Sequence, residues 1–269
     1  MLAVNVRLLF VHGWAFTPAF WEPLIRELAD FPCQCLDLGF FGPERLDAPF
    51  EGDGPVTGAG AAPGAGDGHA VVGVGHSLGL LWLLRHGRVP LRGLVSLGGF
   101  SVFTAMEGAP CGVSSTAVKV MRRGLGRDHA AVLKTFHRNC GTPPELIPDF
   151  AKARPERLTE GLDWLLTWDE RAALEPHGVT LPSQGRGDKG VVPLSALAAR
   201  DDAIVPPALT SACFAGSASR LEWLPSGGHA FPLTRTTVCA GHIRRFLAGL
   251  TGPDGLAKSS DLTSPGAPR

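Results

Sequence analysis

The 269 residues carry no excess of either charge, 25 Lys and Arg against 25 Asp and Glu. A balanced chain has no long-range pull toward nucleic acid or an anionic membrane, and neither partner is expected. Long apolar runs are missing too. None approaches the ~18 residues a membrane-spanning helix needs. The opening stretch from Met1 to Arg7 has no basic segment and no small-residue cleavage pattern, so a cytoplasmic protein entering directly on a strand is expected. Cysteine is present (Cys33, Cys35, Cys111, Cys140, Cys213 and Cys239) but never as C-x-x-C, and Cys33 lies too near Cys35 for a routine disulfide. Six free thiols are expected. The nine histidines show no H-E-x-x-H or comparable spacing, so no metal or other cofactor is expected.

What the sequence does contain is one stretch around which the rest can be arranged, Val71 to Leu84. It opens with Val71, Val72 and Val74, which suit a buried strand, and closes with Leu80 to Leu84, which suit a buried helix. Between them Gly75, Ser77 and Gly79 spell G-x-S-x-G. A strand turning sharply into a helix holds such a serine strained, with its hydroxyl above the sheet. Glycines flank it because a Cβ would clash where strand and helix nearly touch. Ser77 is the candidate nucleophile. A structural Gly-rich turn is the bland alternative. A dinucleotide loop is the other, since Gly73, Gly75 and Gly79 imitate part of its fingerprint. That fingerprint wants an acid about 20 residues on, and Leu91 to Ser101 has none.

Leu8 to Val11 is a short apolar strand running into His12-Gly13-Trp14. There the Trp14 amide can point at a substrate carbonyl; standing alone, the segment reads as a turn with an exposed aromatic. Phe20 to Leu28 reads as an amphipathic helix with Pro23 in its first turn. Cys33 to Leu38 and Leu91 to Leu97 read as strands. Strands alternating with helices or crossovers imply a mostly parallel α/β sheet flanked by helices, with residues 1–100 and 179–250 as its core. Residues 51–70 are dominated by Gly, Ala and Pro and are expected to form an irregular crossover.

From 101 to 178 strand signals vanish. Residues 118–127, 129–138 and 158–174 carry apolar side chains at helical spacing, which predicts an inserted helical lid. Lys119, Arg122, Arg123, Arg127, Lys134, Arg138, Lys152, Arg154 and Arg157 crowd this segment. They make either a solvated helical face or a basic dock for an acidic partner. Beyond it come a polar loop at 183–190, strands at 192–198 and 221–224, and a helix at 236–250. Residues 251–269, rich in Gly, Pro and Ser, read as a disordered tail.

A serine hydroxyl needs an adjacent base, and the base an orienting carboxylate. The order Ser, acid, His is met by Ser77, Asp202 and His229, the last two each in a loop after a strand. Asp202 stands four residues before Pro206 in D-x-[ILV]-V-P; Asp201 is the alternative acid. His229 follows Gly227-Gly228, which lets its loop reach back over the sheet. His76 neighbours the nucleophile, but an elbow neighbour points away from the hydroxyl and reads as packing. Trp14 and Leu78 would supply the two oxyanion-hole amides.

With these residues placed, the chain resembles the α/β-hydrolase superfamily over residues 6–250. Within it, the chain is similar to the family of pimeloyl-[acyl-carrier protein] methyl ester esterases of biotin synthesis. The shared features are Val11-His12-Gly13-Trp14, Gly75-His76-Ser77-Leu78-Gly79, the helical lid, Asp202-Ala203-Ile204-Val205-Pro206 and Gly228-His229-Ala230. The resemblance implies an α/β-hydrolase fold and a monomeric serine esterase with an acyl-Ser77 intermediate. It also implies that Trp14 lines the acyl pocket. A lid segment beginning with Phe contacts substrate in that family, and Phe136, His137, Arg138, Asn139 and Cys140 are its best match. The basic lid residues would meet the acyl carrier protein that carries the substrate. Leu80 departs from the Gly of many relatives, the 51–70 crossover lacks the usual helix, and no strand hairpin precedes Val6. A general short-chain carboxylesterase or lactonase with the same triad is the alternative function; a non-enzymatic scaffold is another.

Overall fold

A computed structural model describes residues 6–46, 70–86, 91–175, 178–181, 190–217 and 219–251. The expectations for 51–69, 182–189 and 252–269 lie outside them.

Short Val- and Leu-rich runs, buried on both faces, form the central strands of the parallel sheet, while its edge strands are only half-buried. In chain order they are β1 (Val6–Val11), β2 (Cys33–Leu36), β3 (Ala70–His76), β4 (Leu91–Leu97), β5 (Leu174–Glu175), β6 (Gly178–Leu181), β7 (Gly190–Val192), β8 (Leu194–Ala199) and β9 (Arg220–Leu224). Six of them make one all-parallel sheet ordered β2-β1-β3-β4-β8-β9. The order reverses between β1 and β3, and the crevice outside the carboxyl ends of strands at such a point is where α/β sheets hold ligands.

The helices are α1 (Glu22–Glu27), α2 (Leu78–His86), α3 (Ser115–Cys140), α4 (Pro155–Thr167), α5 (Pro207–Phe214), α6 (Phe231–Thr234) and α7 (Thr236–Thr251). They cover both faces of the sheet. A Cβ on Gly73 would press on Leu83 of α2, while one on Gly93 would press on Phe246 of α7. Gly73 pairs with Leu94, so Gly93 faces the opposite side, and α2 and α7 lie on opposite faces. Val11, Val72, Val74, Leu80 and Leu94 are buried in the core between them.

The α3–α4 segment lies between β4 and β8 in the chain. Two helices expected at 118–127 and 129–138 meet at Asp128, which leaves helical geometry at φ −156°. Its carboxylate caps the second helix by accepting the Ala131 amide at 2.9 Å. The helix expected at 158–174 is corrected at both ends. It begins at Pro155, whose missing N–H costs nothing in a first turn. It ends at Thr167 because Trp168 turns extended, stacked on Trp164 at 4.8 Å and held under the Arg85 guanidinium. The strand expected at 192–198 is broken at Pro193 into β7 and β8. β7 joins an antiparallel three-stranded ribbon with β5 and β6 that the sequence did not suggest. The strand expected at 33–38 ends at Leu36. All six cysteines are free thiols. Among the described residues, no helix is long and apolar enough to cross a membrane.

Candidate active site

β1 and β3 run side by side with Val11 opposite Gly75, so the turns that leave them emerge at one edge of the sheet. The turn after β3 carries Ser77 at φ +55°, the left-handed region that non-glycine residues rarely occupy. The flanking glycines follow from close approach. A Cβ on Gly75 would stand 2.5 Å from the Leu80 amide nitrogen, and one on Gly79 would overlap the Val11 carbonyl. Strained local geometry of this kind persists only where surrounding packing imposes it, and it concentrates at functional sites.

The turn after β1 lies against this elbow. A Cβ on Gly13 would be 3.0 Å from the Ser77 Cβ. His12 braces the turn: its Nδ1–H donates to the Gly13 carbonyl at 2.9 Å, and its Nε2 accepts the Leu38 amide at 3.1 Å. Trp14 is buried, its indole N–H donates to the Leu158 carbonyl of α4 at 2.8 Å, and its ring meets Phe136 edge-on at 4.8 Å. Ala15 takes φ +57°, a second strained residue. Among the described residues, neither the Trp14 amide nor the Leu78 amide has a hydrogen-bond acceptor.

Asp202 follows β8 and His229 follows β9. The His229 Nδ1–H donates to Asp202 Oδ2 at 2.7 Å, while Asp202 Oδ1 accepts the Ile204 and Val205 amides at 2.8 Å each. That arrangement fixes the imidazole tautomer and leaves Nε2 as the basic nitrogen. Nε2 is buried with no hydrogen-bond partner. Asp201, the alternative acid, does something else. It accepts the Gly227 and Gly228 amides at 2.9 Å each and so shapes the loop that delivers His229. Those amides hold its carboxyl below the usual range.

His76 does more than pack. Its Nε2–H donates to the His229 carbonyl at 3.0 Å, and its ring stacks on Phe20 at 4.4 Å. Burial pushes its pKa well below 6.5, so the ring is neutral. The sequence offered no sign of this bond, nor of the Asp201 and His12 braces, because each joins groups that meet only in the fold.

The 136–140 segment, expected to contact substrate from a lid, splits by helical face. Phe136 is buried against Trp14 and Phe16, and His137 is fully buried. Arg138 and Asn139 are exposed. Cys140 is buried, its carbonyl accepts the Ala230 amide at 2.9 Å, and desolvation raises its thiol well above the ordinary value. The five therefore do not converge on one surface. The site as a whole is closed: Ser77 is 6% exposed, Asp202 6%, Trp14 2% and His229 0%. On the outside of the segment, Arg122 pairs with Asp163, and Arg157 with Glu44 and Glu160. Among the described residues, Lys119, Arg123, Arg127, Lys134, Arg138 and Lys152 are exposed and have no ion-pair partner.

Residues 8–241 match the model of a family described as alpha/beta hydrolase family. Two relatives from Stenotrophomonas maltophilia bear the name pimeloyl-[acyl-carrier protein] methyl ester esterase. The one from strain K279a is 27% identical and the one from strain R551-3 is 29% identical, each match covering 92% of this chain and 95% of the relative. Among solved structures, an esterase from Exiguobacterium antarcticum superposes with a TM-score of 0.66 at 19% identity, covering 90% of this chain and 91% of that one. That likeness concerns the fold.

Proposed function

The chain belongs to the alpha/beta hydrolase family, and from that footing we propose that it is a serine carboxylester hydrolase cleaving the methyl ester of pimeloyl-[acyl-carrier protein]. The observation that carries the chemistry is the His229 imidazole. It is held by Asp202 at 2.7 Å with its Nε2 unpartnered, and its ring lies 4.7 Å from that of His76, the neighbour of the strained Ser77.

In this reading Nε2 of His229 takes the Ser77 proton as the Ser77 Oγ attacks the ester carbonyl. Asp202 keeps the tautomer and offsets the imidazolium charge. The tetrahedral oxyanion accepts hydrogen bonds from the free Trp14 and Leu78 amides, each worth on the order of 3 kcal/mol. Collapse expels methanol, which takes its proton from His229. Water, deprotonated by the same nitrogen, then hydrolyses the acyl-Ser77 ester and releases the free carboxylate on its carrier.

The substrate rests on two supports. The relatives bearing that activity in their name align over nearly the whole chain. The six exposed, unpaired cations of the lid offer a basic face to an acidic carrier. Trp14 and Phe136 wall the acyl pocket, residues 101–178 act as the lid, and Arg138 lies where the carrier would meet it.

The test compares two substrates on purified protein. Turnover of pimeloyl-[acyl-carrier protein] methyl ester, lost in Ser77→Ala, is the expected result. Brisk hydrolysis of p-nitrophenyl esters with indifference to the carrier-linked ester assigns a general short-chain carboxylesterase or lactonase instead. No Ser77-dependent hydrolysis of either overturns the enzyme reading.

A further inference from the structure

Residue 76 meets all three segments that an acyl transfer must hold in register. It is the chain neighbour of Ser77 at the elbow. Toward the base loop, its Nε2 lies 3.0 Å from the His229 carbonyl oxygen; a carbonyl can only accept, so the ring carries its proton on Nε2 and donates it there. Toward the β1 turn, a Cβ on Gly13 would stand 2.9 Å from its Nδ1. Aromatic neighbours fix the ring in this place. It is fully buried, stacked on Phe20 at 4.4 Å, with Phe16 edge-on at 5.6 Å and Trp21 edge-on at 6.3 Å.

Such a cage is a poor setting for an imidazole. Nδ1 is buried with no hydrogen-bond partner, and an unmatched buried acceptor costs more than one neutral hydrogen bond returns. A phenyl ring would fill the same cage without that cost. Packing therefore does not account for a histidine here; the Nε2–H does, and its acceptor is the main chain of the catalytic base. The base loop needs anchors, because Gly227 and Gly228, at φ +154° and +63°, give it wide backbone freedom. Asp201 holds it before His229 through the Gly227 and Gly228 amides, and the Cys140 carbonyl holds it after through the Ala230 amide at 2.9 Å. The carbonyl of residue 229 itself goes to His76. Of these three anchors, only this one comes from the residue beside the nucleophile.

We propose that His76 is a positioning residue: it ties the main chain of His229 to the nucleophile elbow, so that Nε2 of His229 stays aimed at Ser77 through acylation and deacylation. This rests on the hydrolase reading of the preceding section and adds to it a residue that acts through the base without touching substrate. With the bond removed, Asp202 still holds Nδ1 of His229, but the loop pivots on its two glycines and carries the imidazole out of line.

The experiment uses the full chain, with Ser77→Ala as the blank. The variants are His76→Phe, His76→Gln, His229→Ala and the double variant His76→Phe with His229→Ala. Phe keeps the ring and its packing but cannot donate; Gln returns an N–H near the place of Nε2. The expected result for His76→Phe is a kcat lowered about 10- to 100-fold with KM nearly unchanged, since a misaimed base weakens the transition state and leaves substrate binding alone. His76→Gln should recover most of that loss. In the His229→Ala background no imidazole is left to aim, so His76→Phe should change the residual Ser77-dependent rate by less than about twofold. Thermal melts accompany every variant, and His76→Leu, with the same expectations, replaces a Phe variant that does not fold. The proposal is overturned if the folded variant without the donor keeps its kcat, if it loses as much in the His229→Ala background as in the wild type, or if folded His76→Gln is no better than it. A wild-type chain lacking any Ser77-dependent hydrolysis would instead remove the hydrolase reading itself.

Discussion

Replacing Asp202 by Asn separates the two adjacent acids by mechanism. The carboxylate has two jobs divided between its oxygens: Oδ1 accepts the Ile204 and Val205 amides at 2.8 Å each, and Oδ2 accepts the His229 Nδ1–H at 2.7 Å. An Asn oxygen at Oδ1 keeps both amide bonds, so the loop survives. The NH2 group then faces Nδ1, and it can only donate. The imidazole must turn Nδ1 into an acceptor, which moves its proton to Nε2, the nitrogen that has to receive the Ser77 proton. The base is lost with the fold intact. The expected loss is about 10⁴-fold in kcat, or roughly 5.5 kcal/mol of transition-state stabilisation. Asp201→Asn keeps an oxygen for the Gly227 and Gly228 amides, and its kcat should fall by no more than about tenfold. Steady-state ester hydrolysis and a thermal melt of both variants decide the matter. The reasoning fails if folded Asp202→Asn retains more than about a tenth of wild-type kcat, or if Asp201→Asn is the variant that collapses.

Three further outcomes are expected. Trp14→Phe removes the indole hydrogen bond to the Leu158 carbonyl and some buried area, so urea unfolding should show a loss of about 1–2 kcal/mol; a change below ~0.5 kcal/mol would mean that α4 is not anchored there. Gly79→Ala drives a Cβ into the Val11 carbonyl, a backbone atom that cannot swing aside, and should cost upwards of about 3 kcal/mol or abolish soluble expression; a normally melting, active variant would contradict the elbow geometry. His76 and His137 are held neutral by burial, the first well below 6.5 and the second at about 4. Between pH 6.5 and about 4 the denatured chain takes up protons that the folded chain refuses, so stability falls as pH drops through that window. For His137 alone the fall amounts to roughly 3 kcal/mol. Denaturant titrations at pH 7.5 and 5 should show the decline and a shallower one in His137→Gln; equal slopes would refute it.

The sheet and the elbow were legible because their signals are local. A β-branched run, a G-x-S-x-G between strand and helix, and a loop after a strand are each read from about a dozen consecutive residues. The β5–β7 ribbon was not, since strands of two to four residues are too short to show a period. The end of α4 was hidden for a related reason: the apolar series Leu158, Leu162, Leu165 runs on into Trp168 and Leu174, and only Trp164 and Arg85 in three dimensions turn the chain out of the helix. The braces made by His12, His76 and Asp201 join residues brought together by the fold, His76 and His229 being 153 positions apart. Residues 136–140 hold a different lesson. Five consecutive residues on a helix cannot all face one pocket, because each is turned about 100° from the last. Phe136, His137 and Cys140 share the inner face, and Arg138 and Asn139 the outer, as the period alone requires.

The account turns on Ser77 being the residue that attacks, activated by His229 and Asp202. Treating the protein with a fluorophosphonate, which captures a serine only when its hydroxyl is activated, and mapping the adduct by peptide mass spectrometry tests that directly. One adduct on Ser77 is expected, forming quickly in the wild type and far more slowly in Asp202→Asn and His229→Ala. An adduct on another serine, or labelling of Ser77 at equal rates in all three proteins, would contradict it.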